Sequence, residues 1–492
     1  MVKNRRTILL ARLMNYSHRR NIKNRSVMEA EKPNLTPFTS TRNACKLCAP
    51  LGASVVFKGI RGCIPMIHGS QGCATYIRRY MISHYREPVD IASSNFSEET
   101  TVFGGHKNFN EGIYNIIKQY DPEVIGIASA CLSETIGEDI AGLIHEYRAV
   151  NSRNPQPVFV HASTPSYQGT HIDGFHEAVA ATIVAFAKEL PIKGEHINIF
   201  PGFVSPEDIR HLKNILRDFG LDYVLFPDYS DSLDNPHWKE YQLIPEGGTS
   251  PEDLHRTTSA KASLEFGYVL NQGNLKGRVK SNKKIFTAGS WLEENHQVPY
   301  KTIGMPIGIN ETDKFFKVLE ELSGRETPEF YSRERGRLVD AYVDGHKYLF
   351  GKRAIVFGEE DLVIGLVSFL EEIGIETILV SSGGESGMLM NEIERITKGR
   401  DIRVISGGDF EMLNDMVDEL KPDLMIGNSK GYYITRRLGI PLVRVGFPIH
   451  DRFGGQRVQH IGYNGTQQLF DRITNALIEY KQEHSKVGYK YI

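Results

Sequence analysis

The sequence is poor in cysteine, with five in 492 residues. So small and odd a number of thiols in so long a chain excludes a secreted scaffold stapled by disulfides. Tryptophan is scarcer, at two. No stretch approaches the ~20 consecutive apolar residues that a membrane-spanning helix requires. An excess of charge is absent too: 58 Lys and Arg face 60 Asp and Glu, for a formal charge of -2. No net field therefore draws the chain to nucleic acid or to an anionic membrane. A GxxxxGK[ST] phosphate loop is missing, so nucleotide hydrolysis is not expected of this chain. These absences describe a cytoplasmic protein.

What is present is a globular composition, 40% hydrophobic and 24% charged, long enough for about three domains. One segment departs from it. Residues 1–25 carry Lys3, Arg5, Arg6, Arg12, Arg19, Arg20, Lys23 and Arg25 and no acidic side chain. The apolar run "TILLARLM" is short and broken by Arg12, which rules out a signal peptide. Residues 1–39 read as a flexible basic arm, with Met28 as an alternative start.

From about residue 54 one theme repeats: a β-branched run, a turn rich in Gly, Ser or Pro, then an amphipathic helix. "EVIGIAS", "PVFVHAS", "HINIFPGFV", "DYVLFP", "KKIFTAGS", "KRAIVFG", "ETILVSS", "DLMIGNS" and "IPLVRVGFP" are such runs. Continuous apolar strands alternating with helices predict parallel sheets covered on both faces. The expected architecture is three doubly wound, Rossmann-like α/β domains over 40–192, 193–325 and 326–470. Linkers are expected around 229–254 and 323–337. The C-terminal helix and tail, 471–492, are expected to pack back on the first domain or on a partner chain.

Ligands of such sheets collect at the carboxyl ends of the strands, and there the cysteines stand. Cys48 precedes a Pro-Leu-Gly turn, Cys73 ends "HGSQGC", and Cys131 follows the strand "VIGIASA". Cys73 and Cys131 hold the same place in two successive βα units, beside helix N-termini whose free amides favour a thiolate. Thiolates select zinc, cuprous copper or iron–sulfur clusters. A structural zinc site brings two close cysteine pairs, whereas only Cys45 and Cys48 form one here. Single thiols from separate loops suit a cluster ligated around its perimeter. Gly69 and Gly72 would let the backbone approach such a body. The bland alternative, that a lone cysteine is a small buried hydrophobe, stands beside this reading and is applied to Cys63. Cys45 is left open, with Asn43 and Lys46 suggesting a solvated approach to the site. His450 and Asp451 are expected to hydrogen-bond their loop rather than to bind metal. "VSSGGES" (380–386) is weak evidence for a phosphate turn.

The motifs "CAPLGA", "HGSQGC", "EPVDIASSNFSEETTVFGG", "CLSETIGEDI", "TPSYQGTH", "ERGRLVD", "DLMIGNS" and "LVRVGFPIHDR", in this order over about 43–480, resemble the nitrogenase component 1 family on its β-type side. "STRNACKLC", "YIRRYMISHYREPVDIASSNFSE" and the ending "GYNGTQQLFDRITNALIEYKQE…VGYKYI" look most like the N-type subunit of the scaffold for iron-molybdenum cofactor assembly. The alternative is a catalytic β subunit of dinitrogenase or of a nitrogenase-like reductase. The resemblance implies metal ligands at Cys48, Cys73 and Cys131, and an occasional iron ligand at Ser166. The implied cofactor is an iron–sulfur cluster shared with an α-type (E-like or D-like) partner. It is [4Fe-4S] in a scaffold and [8Fe-7S] in a catalytic pair, and the retention of all three cysteines departs from the scaffold pattern. An iron-molybdenum cofactor or its precursor would be held mainly by the partner. A reducing iron protein would dock near Phe103, and no catalytic residue is expected in this chain.

Overall fold

Among the described residues every named strand pairs in parallel, in three separate sheets. The structure is a computed structural model and describes residues 45–151, 155–190, 192–270 and 287–488. The basic arm lies outside these residues. The first sheet holds β1 (Cys63–His68), β2 (Ala92–Ser93), β3 (Val124–Ser129) and β4 (Val158–Ala162), in the order β2-β1-β3-β4. The second holds β5 (Ile197–Phe200), β6 (Tyr223–Leu225), β7 (Ala262–Phe266) and β8 (Tyr300–Ile303), in the order β6-β5-β7-β8. The third runs β11-β10-β9-β12-β13, from β9 (Arg353–Gly358), β10 (Glu376–Ser382), β11 (Arg403–Ile405), β12 (Leu424–Gly427) and β13 (Leu442–Arg444). Each order reverses beside its first strand, which is the doubly wound topology expected. β1 and β3 are buried at all six positions, so both faces of the first sheet are covered.

Several local readings change. The Pro-Leu-Gly turn after Cys48 is the start of a helix, Ala49–Lys58, with Cys48 as its N-cap and Pro50 in the first turn, where a missing N–H costs nothing. All ten of its residues are buried. Burial on every side requires a very close neighbour, helix His171–Phe186. A Cβ added to Gly52 would lie 1.7 Å from the His171 carbonyl oxygen, and one added to Gly174 would lie 2.0 Å from that of Ala49. The two glycines let two backbones touch.

The central strand β7 was not singled out in the sequence, because Ser263 and Glu265 interrupt its apolar run. Both are buried, and Glu265 takes hydrogen bonds from Thr287 Oγ1 (2.6 Å) and Gly289 N–H (2.7 Å). "KKIFTAGS" lies outside the described residues up to 286, and from Ala288 it is helix. Most of the supposed linker 323–337 is the first half of helix Glu329–Leu349. Its charged side chains face outward into pairs such as Arg335–Asp313. Of the expected linker 229–254, residues 229–250 are irregular, but 251–254 open helix Pro251–Arg256 and the stretch connects β6 to β7 of one sheet. It lies across the first unit, where Ser232 Oγ bonds to the Lys58 carbonyl and Ile60 bridges Thr249.

The C-terminal helix begins at Gly462, runs to Glu483, and packs on helices Glu329–Leu349 and Gly308–Ser323 rather than on the first unit. Leu469, Phe470, Ile473 and Leu477 join the core of β9, β10 and β12. Phe470 fits against helix Glu329–Leu349 because Gly345 leaves room for its ring. None of the described helices is long and apolar enough to cross a membrane.

A buried carboxylate joins the second unit to the third. Glu372, on helix Glu360–Ile373, accepts N–H bonds from Ile309 (2.7 Å) and Asn310 (2.8 Å) at the start of helix Gly308–Ser323. Burial raises its pKa from 4.5 to about 7, against the lowering effect of those bonds. The folded chain thus keeps a proton that the unfolded chain releases, and this group's contribution falls as pH rises from 4.5 to about 7. The loss is on the order of 2–3 kcal/mol. In Glu372→Gln the thermal midpoint relative to the parent is expected to improve between about pH 5 and about pH 8. Melts at the two pH values check this, and parallel curves would reject it.

Candidate metal centre

The topology brings Cys73 and Cys131 together. Cys73 is the third residue of helix Gln71–Tyr85, which follows β1, and Cys131 opens the helix that follows β3. β1 and β3 are hydrogen-bonded neighbours in register up to His68 and Ser129. They flank the point where strand order reverses, so their loops leave toward opposite faces and a crevice opens between them. Gly69 closes the two loops onto each other: a Cβ there would meet that of Ala130 at 2.5 Å. Ala130 N–H and Ser133 Oγ both donate to the His68 carbonyl, at 3.0 and 2.7 Å.

Ser166, in the turn after β4, ties in the third cysteine. Its N–H donates to Cys131 Sγ at 3.3 Å, and its Oγ accepts the Ala49 N–H, next to Cys48, at 3.1 Å. Burial raises the Cys73 thiol pKa, and the charges of Cys48 and Cys131 raise it further. Cys48 and Cys131 are therefore each within electrostatic reach of Cys73. At Cys73 burial and mutual repulsion outweigh the expected help from the helix amides. Ser166→Ala removes the acceptor of an otherwise unpaired helix amide, and is expected to cost about 1 kcal/mol in a denaturant titration.

These residues fit an iron–sulfur cluster. Cys48 and Cys73 are exposed, Cys131 is partly so, and all five thiols are free. Among the described residues no three His, Cys, Asp or Glu side chains converge on a single ion. Three soft donors that are close but not convergent suit a body of several metals, and their repulsion is relieved when cationic iron lies between them. A Cβ on Gly72 would meet only Ser70 Oγ, at 3.6 Å, so there the backbone is open to close approach. Gly69 is not, because Ala130 fills its space.

The other two cysteines separate cleanly. Cys63 starts β1, is 1% exposed, and burial pushes its pKa to about 12. The solvated approach suggested for Cys45 is not found. It is buried on the third unit, with Sγ 3.8 Å from Ser381 Oγ, and burial pushes its pKa to about 12 as well.

Lys430, after β12, went unnoticed in the sequence. Burial lowers its pKa, while Cys45 and Cys48 raise it, so a third-unit cation stands within reach of Cys48. Nothing local in "GNSKGYY" signals that juxtaposition. Phe103 is 83% exposed at the end of helix Glu98–Phe103, beside Val102 at 74%. Beneath it Glu138 accepts the Gly105 N–H at 2.6 Å and lies 3.2 Å from His68 Nε2. Asp451 forms a paired hydrogen bond with Arg444, and His450 is an exposed loop residue. The turn 380–386 is filled by its own chain, with Gly383 against Lys46 and Gly384 against Glu360.

The family model described as "Nitrogenase component 1 type Oxidoreductase" matches residues 48–478, from Cys48 to the C-terminal helix, and the chain belongs to that family. Among its relatives is the nitrogenase molybdenum-iron protein beta chain of Clostridium pasteurianum, 35% identical over 440 residues, covering 89% of this chain and 93% of that one. The beta chain of the same name from Azotobacter vinelandii is 33% identical over 478 residues, covering 93% and 88%. A solved structure titled "Nitrogenase Cp1 at pH 6.5" superposes with a TM-score of 0.87 at 33% identity, over 94% of this chain and 98% of that one. The fold is that of nitrogenase component 1, and the chain is of the beta type.

Proposed function

We propose that the chain is the β subunit of a dinitrogenase-type heterotetramer, holding one side of an iron–sulfur cluster at the boundary with an α-type subunit. The observation that supports this reading is that Ser166 bonds both to Cys131 Sγ and to the amide beside Cys48, with Cys73 within electrostatic reach of both thiols, at the switch point of the first sheet. A cluster bound there supplies a site that accepts and passes on electrons. The chain's own part is to hold and tune it. Three thiols are its ligands, and the Ser166 N–H donates to the Cys131 sulfur, which favours the reduced state. Ser166 is an additional iron ligand in the oxidised state. The exposed Val102 and Phe103 support docking of a reducing iron protein beside the cluster. The iron-molybdenum cofactor on which substrate is reduced belongs with the α-type partner.

The scaffold reading comes second. It rests on the wording of "STRNACKLC" and of the C-terminal stretch, whereas the relatives named above are molybdenum-iron protein beta chains and all three cysteines are present. The two readings separate on co-expression with the α-type partner and anaerobic purification, followed by iron counting, EPR and assay of dinitrogen reduction with the iron protein. The catalytic reading expects about eight boundary irons per αβ pair and turnover, and about four irons without turnover support the scaffold. Colourless, iron-free protein would overturn both.

A further inference from the structure

A cavity of about 30 Å³ lies where the three units meet, lined by His84, Ser205, Phe203, Met305, Phe447 and His460. Its polar lining comes from all three units: His84 and Tyr85 from the first, Ser205 and Asp208 from the second, and His460 from the third. His84, on helix Gln71–Tyr85, accepts the Ile449 N–H on Nδ1 at 2.8 Å, so its proton is on Nε2. Burial lowers its pKa to about 3 and keeps it neutral. His460 precedes the C-terminal helix and is 6% exposed. Its Nδ1 lies 2.9 Å from Asp208 Oδ2, and its own N–H and that of Ile461 donate to Asp208 Oδ1 at 2.7 and 3.0 Å. The imidazole proton is thereby on Nδ1, which in the neutral ring leaves Nε2 an acceptor. That nitrogen is buried and has no hydrogen-bond partner in the protein. Ser205 Oγ accepts the Asp208 N–H at 3.0 Å and keeps its own hydrogen to donate.

Residues carrying a donor, an unpartnered acceptor and a second donor thus line one small space whose other walls are largely apolar. A water needs roughly 10–15 Å³ and two to four polar partners, and both requirements are met. An apolar guest would leave Nε2 unpaired. A cation would face the His84 N–H. We propose that one or two ordered waters are a constitutive part of the fold here, bridging His84 Nε2–H to His460 Nε2 and linking all three units through Ser205 and Asp208.

The test is a high-resolution crystal structure of the complete complex, with the parent and His460→Phe compared. In the parent, one or two density peaks are expected within about 3.2 Å of both imidazole nitrogens, with B-factors like those of the surrounding side chains. In His460→Phe the bridging peak should be lost. A well-ordered parent map with no peak, a peak touching only one histidine, or a larger bound molecule would overturn the proposal. If the variant does not fold, the parent map alone decides.

Discussion

Replacing Cys73 by alanine, in the complex with the α-type partner, is expected to remove most of the boundary iron while leaving the polypeptide folded. Cys73 is exposed, so truncation costs no more than about 0.5 kcal/mol of packing stability. On the proposed assignment it is a cluster ligand, and electron delivery is expected to fall by about a hundredfold. Iron counting, the low-temperature EPR signal and a denaturation curve read these together. Cys63→Ala is the matched control. It deletes a fully buried sulfur and is expected to cost ~1–2 kcal/mol with the iron content unchanged. Equal iron in the Cys73→Ala protein and its parent would end the metal assignment. Iron loss in both variants would mean that the cluster merely follows fold stability.

Gly52→Ala is the second large effect, and it acts in the opposite order: the fold fails first and the site follows. The added Cβ would sit 1.7 Å from the His171 carbonyl oxygen, and neither helix backbone can give way. Helices Ala49–Lys58 and His171–Phe186 must separate, in a core already filled by Val55, Val56, Phe57, Phe175 and Val179. Overpacking of side chains costs about 1–3 kcal/mol, and a backbone clash should exceed the top of that range. Cys48 caps the displaced helix and Ser166 bonds to its first amide, so the cysteine cluster should come apart as well. Gly336 lies in the exposed middle of helix Glu329–Leu349 with nothing within 4 Å of an added Cβ. There alanine is expected to stabilise by up to about 1 kcal/mol. Soluble yield and the urea midpoint of the two variants should move in opposite directions, and a tolerated Gly52→Ala would refute the close-packed pair.

Both effects bear on what could be read before the fold was known. The third unit was the most legible. Its strands are short unbroken apolar runs such as "AIVF" and "LMIG", each followed by an amphipathic helix, and local pattern alone selects a parallel sheet for them. Strand β7 was hidden because Glu265 caps a neighbouring helix from inside the core, a use that no local pattern reveals. Helix Ala49–Lys58 looks locally like a turn followed by a strand, since Val55, Val56 and Phe57 suit a strand and Pro50 suits a turn. Burial on all sides against a second helix overrode those preferences.

The sequence by itself offered the donor chemistry: three thiols outside any disulfide framework, two of them following strands of a doubly wound sheet, on a chain whose ordered motifs mark its family. Only the tertiary structure decided which thiols meet. Cys45, three positions from Cys48, turns away into the third unit, whereas Cys131, 83 positions from Cys48, is joined to it through Ser166. The reason is physical: distance along a chain constrains proximity only locally, while strand order and the contact of two glycine-lined helices set it across the molecule.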